Sequence, residues 1–288
     1  MTAFRRAVLR GGGVDLVFTT REDTTAPEEF WLKDLKGWYG GVGVHADDTQ
    51  RTLGHGLFAA SALRTGRALT LTGVMLFSTD EDRLLADRFL SGLLWDGGFG
   101  ELEVTTGDLT LSTRVRLDGE INHEYHGTHG VDIQVPLLAP DPFLYGEEQT
   151  VQIYPGGSGV GLRFPVATGD PRVVGFGAAN PNTLAVVTNR GNADAHPTVT
   201  VAGDWPSGFT LTADTGETIE YPVPVWSQAP VTVDNGRGTI MQSGMDQSAR
   251  ATRRQWVGIP PGGTRSWVVK ALQPGDGYAT IIHRDTYI

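Results

Sequence analysis

Thr188-Asn189-Arg190-Gly191-Asn192, Pro197-Thr198-Val199-Thr200-Val201-Ala202-Gly203, Val233-Asp234-Asn235-Gly236-Arg237 and Ile259-Pro260-Pro261-Gly262-Gly263 follow one another through the last third of the chain. Each couples a short apolar or alternating run to a turn signal: Arg-Gly-Asn, Asn-Gly or Pro-Gly-Gly. Alternation at period two puts one face of a strand in a core, and Asn and Gly accept the backbone angles that tight turns require. Short strands punctuated this closely predict an antiparallel β-sandwich.

The first half predicts strands around one helix. Residues 4–9 and 14–18 alternate on either side of Gly11-Gly12-Gly13, which reads as a hairpin. A short strand is expected near residues 31–35, before a glycine-rich run at 37–43, and another at 68–77. Ser78-Thr79-Asp80-Glu81 then has capping-box spacing, with Ser78 as cap and Glu81 three residues on. Leu85, Phe89 and Leu93 recur at helical spacing with Leu90 and Leu94 beside them, so an amphipathic helix is expected over about 79–94, its stripe turned to the core. Gly97-Gly98 stops it. A hairpin follows at 99–106 and 109–117 around Gly107-Asp108. A final strand at 131–135 runs into Ala139-Pro140-Asp141-Pro142-Phe143-Leu144-Tyr145. Gly146-Glu147-Glu148-Gln149 breaks the pattern and a new strand starts at Val151, which divides the chain into domains 1–147 and 148–288. Residues 155–161 read as a linker or exposed loop, and no repeat period is evident.

With 288 residues the chain can bury two cores. It has no cysteine, which removes disulfides and thiolate metal sites. The start, Met1-Thr2-Ala3-Phe4-Arg5-Arg6, leads into no apolar core of a signal peptide, and no apolar run is long enough to span a membrane, so no membrane insertion is expected. Residues 1–150 hold 13 Lys/Arg against 23 Asp/Glu, a net of −10, whereas residues 151–288 hold 10 of each. An acidic half of this kind is a solvating surface or a wall that repels DNA. It disfavours specific nucleic-acid binding, which needs a basic patch.

No catalytic constellation emerges. The cluster His123-Glu124-Tyr125-His126-Gly127-Thr128-His129 has Gly127 where a zincin helix needs histidine, and it reads as a polar turn. Gly156-Gly157-Ser158-Gly159-Val160-Gly161 has Val160 where a nucleophile elbow needs glycine, and no lysine for a phosphate loop. Carboxylates such as Asp214 and Glu217 carry no spacing that places them across a sugar ring. Trp205, Trp226, Trp256 and Trp267 are expected mainly in the sandwich core, the alternatives being a platform that stacks on sugars or packing at an interface. Catalytic, cofactor-binding and metal sites are therefore expected to be none.

The order "N-x-G-N … P-x-V-x-V-x-G … D-N-G … I-P-P-G", with Asp141-Pro142-Phe143-Leu144-Tyr145 as a "D-P-x-x-Y" element at mid-chain and the lone helix before it, resembles the distal tail proteins of long, non-contractile-tailed bacteriophages. The resemblance covers nearly the whole chain, least of all residues 20–66. It implies a mainly β fold of two β-sandwiches: a tube-like domain with one packed helix, then a galectin-like jelly roll. It further implies a structural, non-enzymatic hub at the virion tail tip, made in the host bacterial cytoplasm. Such a protein forms a homohexameric ring that leaves a channel for DNA. The partners implied are the tail tube protein and the tail-associated or receptor-binding proteins of the tip, with the tape-measure protein as a further candidate. The rival reading is a carbohydrate-binding jelly-roll module that contacts a cell-envelope glycan.

Overall fold

A computed structural model describes residues 4–20, 30–77, 79–127, 130–156 and 182–288, and they form two compact units, Met1–Glu147 with Tyr287–Ile288 and Glu148–Thr286. Among the described residues the chain is mainly β, with one α-helix.

The first unit is a sheet that curls until it meets itself. Its strands run in the order Asn122–His126, Gly130–Ala139, Arg67–Leu76, Phe30–Lys36, Val14–Thr19, Phe4–Gly11, Gly100–Thr106 and Leu109–Leu117. The last of these then pairs with Gly130–Ala139 at Arg116↔Leu138 and Leu117↔Leu137, which closes the round. The interior is filled by the alternating apolar positions, among them Leu9, Leu16, Phe18, Leu71, Leu102, Val104, Ile133 and Val135. The glycine hairpin behaves as its sequence requires: Gly12 and Gly13 take positive φ of 64° and 79° between paired strands.

The helix spans Asp80–Gly92, two residues shorter at its end than the periodicity suggested. Its cap is Thr79, and Ser78 lies outside the described residues. The Thr79 hydroxyl accepts from the Asp82 N–H at 3.2 Å, and the Asp82 carboxylate accepts from the Thr79 N–H at 3.0 Å, so the box closes one residue later than expected. The inward face differs as well. Ala86, Leu90, Leu93 and Leu94 are buried, whereas Leu85 is 61% and Phe89 37% exposed. The single stripe expected through Leu85 and Phe89 is therefore not the inward face: leucines cover both sides of this helix, and packing chose the side that contains Ala86 and Leu90. Leu94 then reaches over the start of the sheet, where a Cβ on Gly11 would lie 2.3 Å from its Cδ2.

Leu144–Ile153 is one continuous strand, where Gly146-Glu147-Glu148-Gln149 suggested an interruption. Strand propensity is a weak prior, and exposed charged residues are tolerated on a pleated surface. In the Glu148–Thr286 unit two sheets face each other. One carries Asp276–Tyr287, Thr198–Asp204, Val231–Asp234 and Thr239–Gln242 side by side. The other runs Ala185–Thr188, Thr264–Ala271, Phe209–Ala213, Thr218–Tyr221 and Arg253–Arg254. Trp205, Phe209, Tyr221, Trp267, Val201 and Ile281 fill the space between them. This is a β-sandwich.

Packing predicts opposite outcomes for two neighbours on the helix. Leu90→Ala should cost about 2–5 kcal/mol of stability, and Phe89→Ala less than about 1 kcal/mol, measured by chemical denaturation. A reversed ranking would mean that the buried face is misassigned.

Candidate functional site: a projecting arm on braced loops

The glycine-rich run that follows Phe30–Lys36 leads into an arm. Val44–His45 pairs with Leu63–Arg64, and farther out Thr49–Gln50 pairs with Leu57–Phe58. Thr65 N–H donates to Gly43 O at 2.9 Å, and Arg64 Nη1 to Val42 O at 2.8 Å, at the root of the arm. Residues 43–65 are all exposed except Ala46, which is half-buried. An isolated two-stranded hairpin is marginal in water, yet this one presents Val44, Leu53, Leu57, Phe58 and Leu63 to solvent, with Leu53 93% exposed. A second apolar patch on the same unit is the outward side of the helix, with Leu84, Leu85 and Phe89. Apolar clusters of this kind mark surfaces that become covered.

The arm rises from a rigid base. Arg67 is only 2% exposed, and its guanidinium donates to Gly37 O and Trp38 O at 2.8 Å each and to Pro142 O at 3.0 Å. Burial pushes its pKa below the ordinary arginine value. The carbonyl at Pro142 belongs to the Asp-Pro-x-x-Tyr element. There the Asp141 carboxylate accepts from the Phe143 N–H at 3.1 Å and from the Tyr145 hydroxyl at 2.7 Å. That element is a self-capped turn whose outward carbonyl braces the arginine beneath the arm.

The signature of the last third also converges in space. Asn189 is fully buried. Its Nδ2 donates to Ala193 O at 2.7 Å, Ile259 O at 3.1 Å and Pro260 O at 3.4 Å, and its Oδ1 accepts from Gly191 N–H at 2.9 Å and Thr286 N–H at 3.2 Å. Asn235 repeats the device, donating to Pro197 O at 2.8 Å and accepting from Val257 N–H at 3.1 Å. Gly191 can only be glycine, since a Cβ there would lie 1.8 Å from Thr286 O. The four motifs thus meet through two buried amides, and their role is to satisfy loop backbone that the sandwich encloses.

The residues weighed for chemistry are dispersed or structural. His126 Nε2 lies 3.0 Å from Asp132 Oδ2, and Lys33 Nζ lies 2.6 Å from the same oxygen. The His123 ring instead meets Tyr125 edge-on, and His129 is outside the described residues. Among the described residues no group of three His, Cys, Asp or Glu could hold a metal. Gly157, Ser158, Gly159, Val160 and Gly161 also lie outside them. Asp214 and Glu217 share a tight turn, where Ala213 N–H donates to Glu217 O and Asp214 N–H to Ser266 O, both at 2.9 Å. Trp205 and Trp267 are buried and Trp256 half-buried, but Trp226 is 53% exposed, contrary to a core placement. Sequence reasoning missed the arm, because its strands are two residues long and its apolar positions follow no period.

The chain matches no protein-family model and no curated protein. Among solved structures it is similar over 98% of its length, and 99% of the other chain, to the crystal structure of SPP1 Dit, described as a paradigm of the hub adsorption apparatus in phages that infect Gram-positive bacteria. The TM-score is 0.60 at 15% identity. It is also similar to a chain of the phage P2 baseplate in its activated conformation with Ca, with a TM-score of 0.50 at 11% identity, covering 96% of this chain and 97% of that one. The described residues therefore have the fold of a phage hub protein.

Two measurements test the braces. Asn189→Ala should cost at least about 3 kcal/mol in urea denaturation, because several buried backbone groups are stranded at about 1–3 kcal/mol each. A loss below about 1 kcal/mol would show that the loops do not depend on it. The Asp132 carboxyl is held below its ordinary range, chiefly by the Lys33 hydrogen bond and also by that from His126. A depressed carboxylate stabilises the fold above its unfolded pKa, and the contribution is lost as pH falls through the lower folded value. Asp132→Asn should therefore soften the acid limb of the stability profile, by less than about 1 kcal/mol, since the Lys33 side chain is 47% exposed.

Proposed function

We propose that the protein is a distal tail protein, a non-enzymatic hub at the tail tip of a phage with a long, non-contractile tail. Copies assemble as a hexameric ring. Domain 1–147 builds a section of tube with an open lumen for DNA, and domain 148–288 is the galectin-like sandwich. The ring joins the tail tube protein to the tail-associated or receptor-binding proteins, with the tape-measure protein as a further neighbour in the lumen. The full-length likeness in fold to phage hub and baseplate chains supports this reading.

The observation that carries the ring is the arm. A head-to-tail interface that closes needs two different patches on every copy. The arm, with Leu53, Phe58 and Leu63, is one, and the outward helix face, with Leu84, Leu85 and Phe89, is the other. Burying such side chains gives roughly 25 cal/mol per Å² of apolar surface, which a monomer forgoes. The excess acidity of residues 1–150 supports the conduit: a phosphate backbone is repelled by an acidic wall over a screening length of about 8 Å at physiological salt. Arg5 and Arg10, on the first strand, lie 3.8 Å from Asp108 and 3.2 Å from Glu103 respectively, so these cations already have carboxylate neighbours.

Light scattering coupled to size exclusion tests the reading. A ring of about six copies is expected, alone or once the tail tube protein is added. A triple variant, Leu53→Ser with Phe58→Ser and Leu63→Ser, should keep the thermal stability of the parent within the range of surface changes, about ±0.5 kcal/mol, and lose the ring. A two-fold dimer, or a monomer even beside tube protein, contradicts the proposal.

A further inference from the structure

Residues 231–270 hold six cations, Arg237, Arg250, Arg253, Arg254, Arg265 and Lys270, against two carboxylates, Asp234 and Asp246, a net of +4 within a chain of net −10. Four of these cations gather at one border of the sandwich. Arg253–Arg254 is the last strand of its five-stranded sheet, and Arg250 ends the turn of 3-10 helix just before it. Lys270 joins them along a row that crosses the sheet: Thr210 stands opposite both Lys270 and Glu220, and Glu220 stands opposite Arg253. All four cations are exposed.

The carboxylates nearest in register and sequence are committed to other partners. Glu220 Oε1 accepts from the Thr252 hydroxyl at 2.7 Å, and Asp246 Oδ1 accepts from the Ser248 N–H at 2.8 Å. Among the described residues Arg250, Arg253, Arg254 and Lys270 form no salt bridge. The backbone that carries the arginines is held in place. Arg250 N–H donates to Gln247 O at 2.9 Å, Thr252 N–H to Glu220 O at 3.0 Å and Gln255 N–H to Thr218 O at 3.3 Å. Gln255 Oε1 accepts from the Thr218 N–H at 3.0 Å, and Ala251 is buried. Charge on a border strand also discourages edge-to-edge pairing. That role needs a charge of either sign, and it does not explain four cations of one sign whose neighbouring acids are spent on hydroxyl and backbone donors.

We propose that this border binds a slender phosphodiester polymer. Lys270 and Arg253 stand three strand spacings apart, about 14 Å. A single small anion cannot serve both, whereas a flexible chain with a charge at every repeat can. Each phosphodiester carries one negative charge and offers two oxygens to the fork of a guanidinium. The net charge of the whole chain opposes a broad, densely charged rod at long range, so the patch suits a thin polymer and not duplex DNA. Contacts made at an open surface are weak one by one and fall with salt. The patch belongs to the Glu148–Thr286 unit alone, so the proposal holds whether or not the ring forms.

Calorimetric titration of the full chain with poly(glycerol phosphate) tests it, with uncharged polyglycerol, poly-L-glutamate and duplex DNA as comparisons. In about 50 mM salt, poly(glycerol phosphate) should bind saturably with Kd of order 0.1 mM, and polyglycerol should not bind. Three contacts at about 0.7 each give a log–log salt slope near −2, so about 200 mM salt should weaken binding at least about tenfold. The combined variant Arg250→Gln, Arg253→Gln and Arg254→Gln should also weaken it at least about tenfold. The same loss of charge at the exposed Arg6, Lys36 and Arg116 should change it less than about twofold. If near-ultraviolet circular dichroism shows the combined variant to be disturbed, Arg253→Gln alone decides, with an expected loss of about threefold. The proposal is overturned if poly(glycerol phosphate) does not bind at about 10 mM repeat units, or if the arginine variants bind it as the parent does. It is also overturned if poly-L-glutamate or duplex DNA binds more tightly, which would assign the patch to an acidic protein or to nucleic acid.

Discussion

Backbone enclosed within a protein must find hydrogen-bond partners, and where loops cross under one another no ladder supplies them. Each unit of this chain meets that constraint with an interior polar side chain. In the Glu148–Thr286 unit the Asn189 amide serves three carbonyls and one N–H of neighbouring loops and the N–H of Thr286 on the last strand, 97 residues away in sequence. In the first unit Arg67 serves three carbonyls from the loops at either side of its strand. Neutral asparagine can both donate and accept, so it suits a site where both kinds of orphan occur. Arginine only donates, and it stands where only carbonyls converge. Remove either side chain and the loops lose the reason for their positions, including those from which the arm rises.

The same constraint explains which parts of the fold were legible. Asn189, Pro197, Asn235 and Ile259-Pro260 stood out in the sequence as turn signals, and the structure shows them as partners in two buried amide networks. Asp141 and Tyr145 stood out as one element, and they bond to each other. Short polar motifs with fixed geometry leave a readable trace because few residues can replace them. The inward face of the helix was less readable. Leu85, Phe89, Leu90, Leu93 and Leu94 spread over about half of a helical wheel, and packing against the sheet decides that Leu90 goes in and Phe89 stays out. The arm left no trace, since its strands are two residues long and its apolar residues share no period with the core. Trp226 was misjudged for a related reason: tryptophan is usually buried, and a single loop held open by Gln242 overrides that tendency.

What the sequence assigned to the interior and what it left outside together suggest a division of labour. The two cores and their braces give rigid bodies. Among the described residues, apolar side chains not spent on those cores include Val44, Leu53, Leu57, Phe58 and Leu63 on the arm and Leu84, Leu85 and Phe89 on the outer helix face, while others, such as Leu184, Val186 and Met245, are exposed elsewhere.

The most direct measurement is electron cryo-microscopy of the purified chain mixed with its tail tube protein. The account predicts closed rings of about six copies, with residues 43–65 of each copy lying on its neighbour and an acidic lumen. Particles without rotational symmetry, or rings in which every arm stands free in solvent, would contradict it.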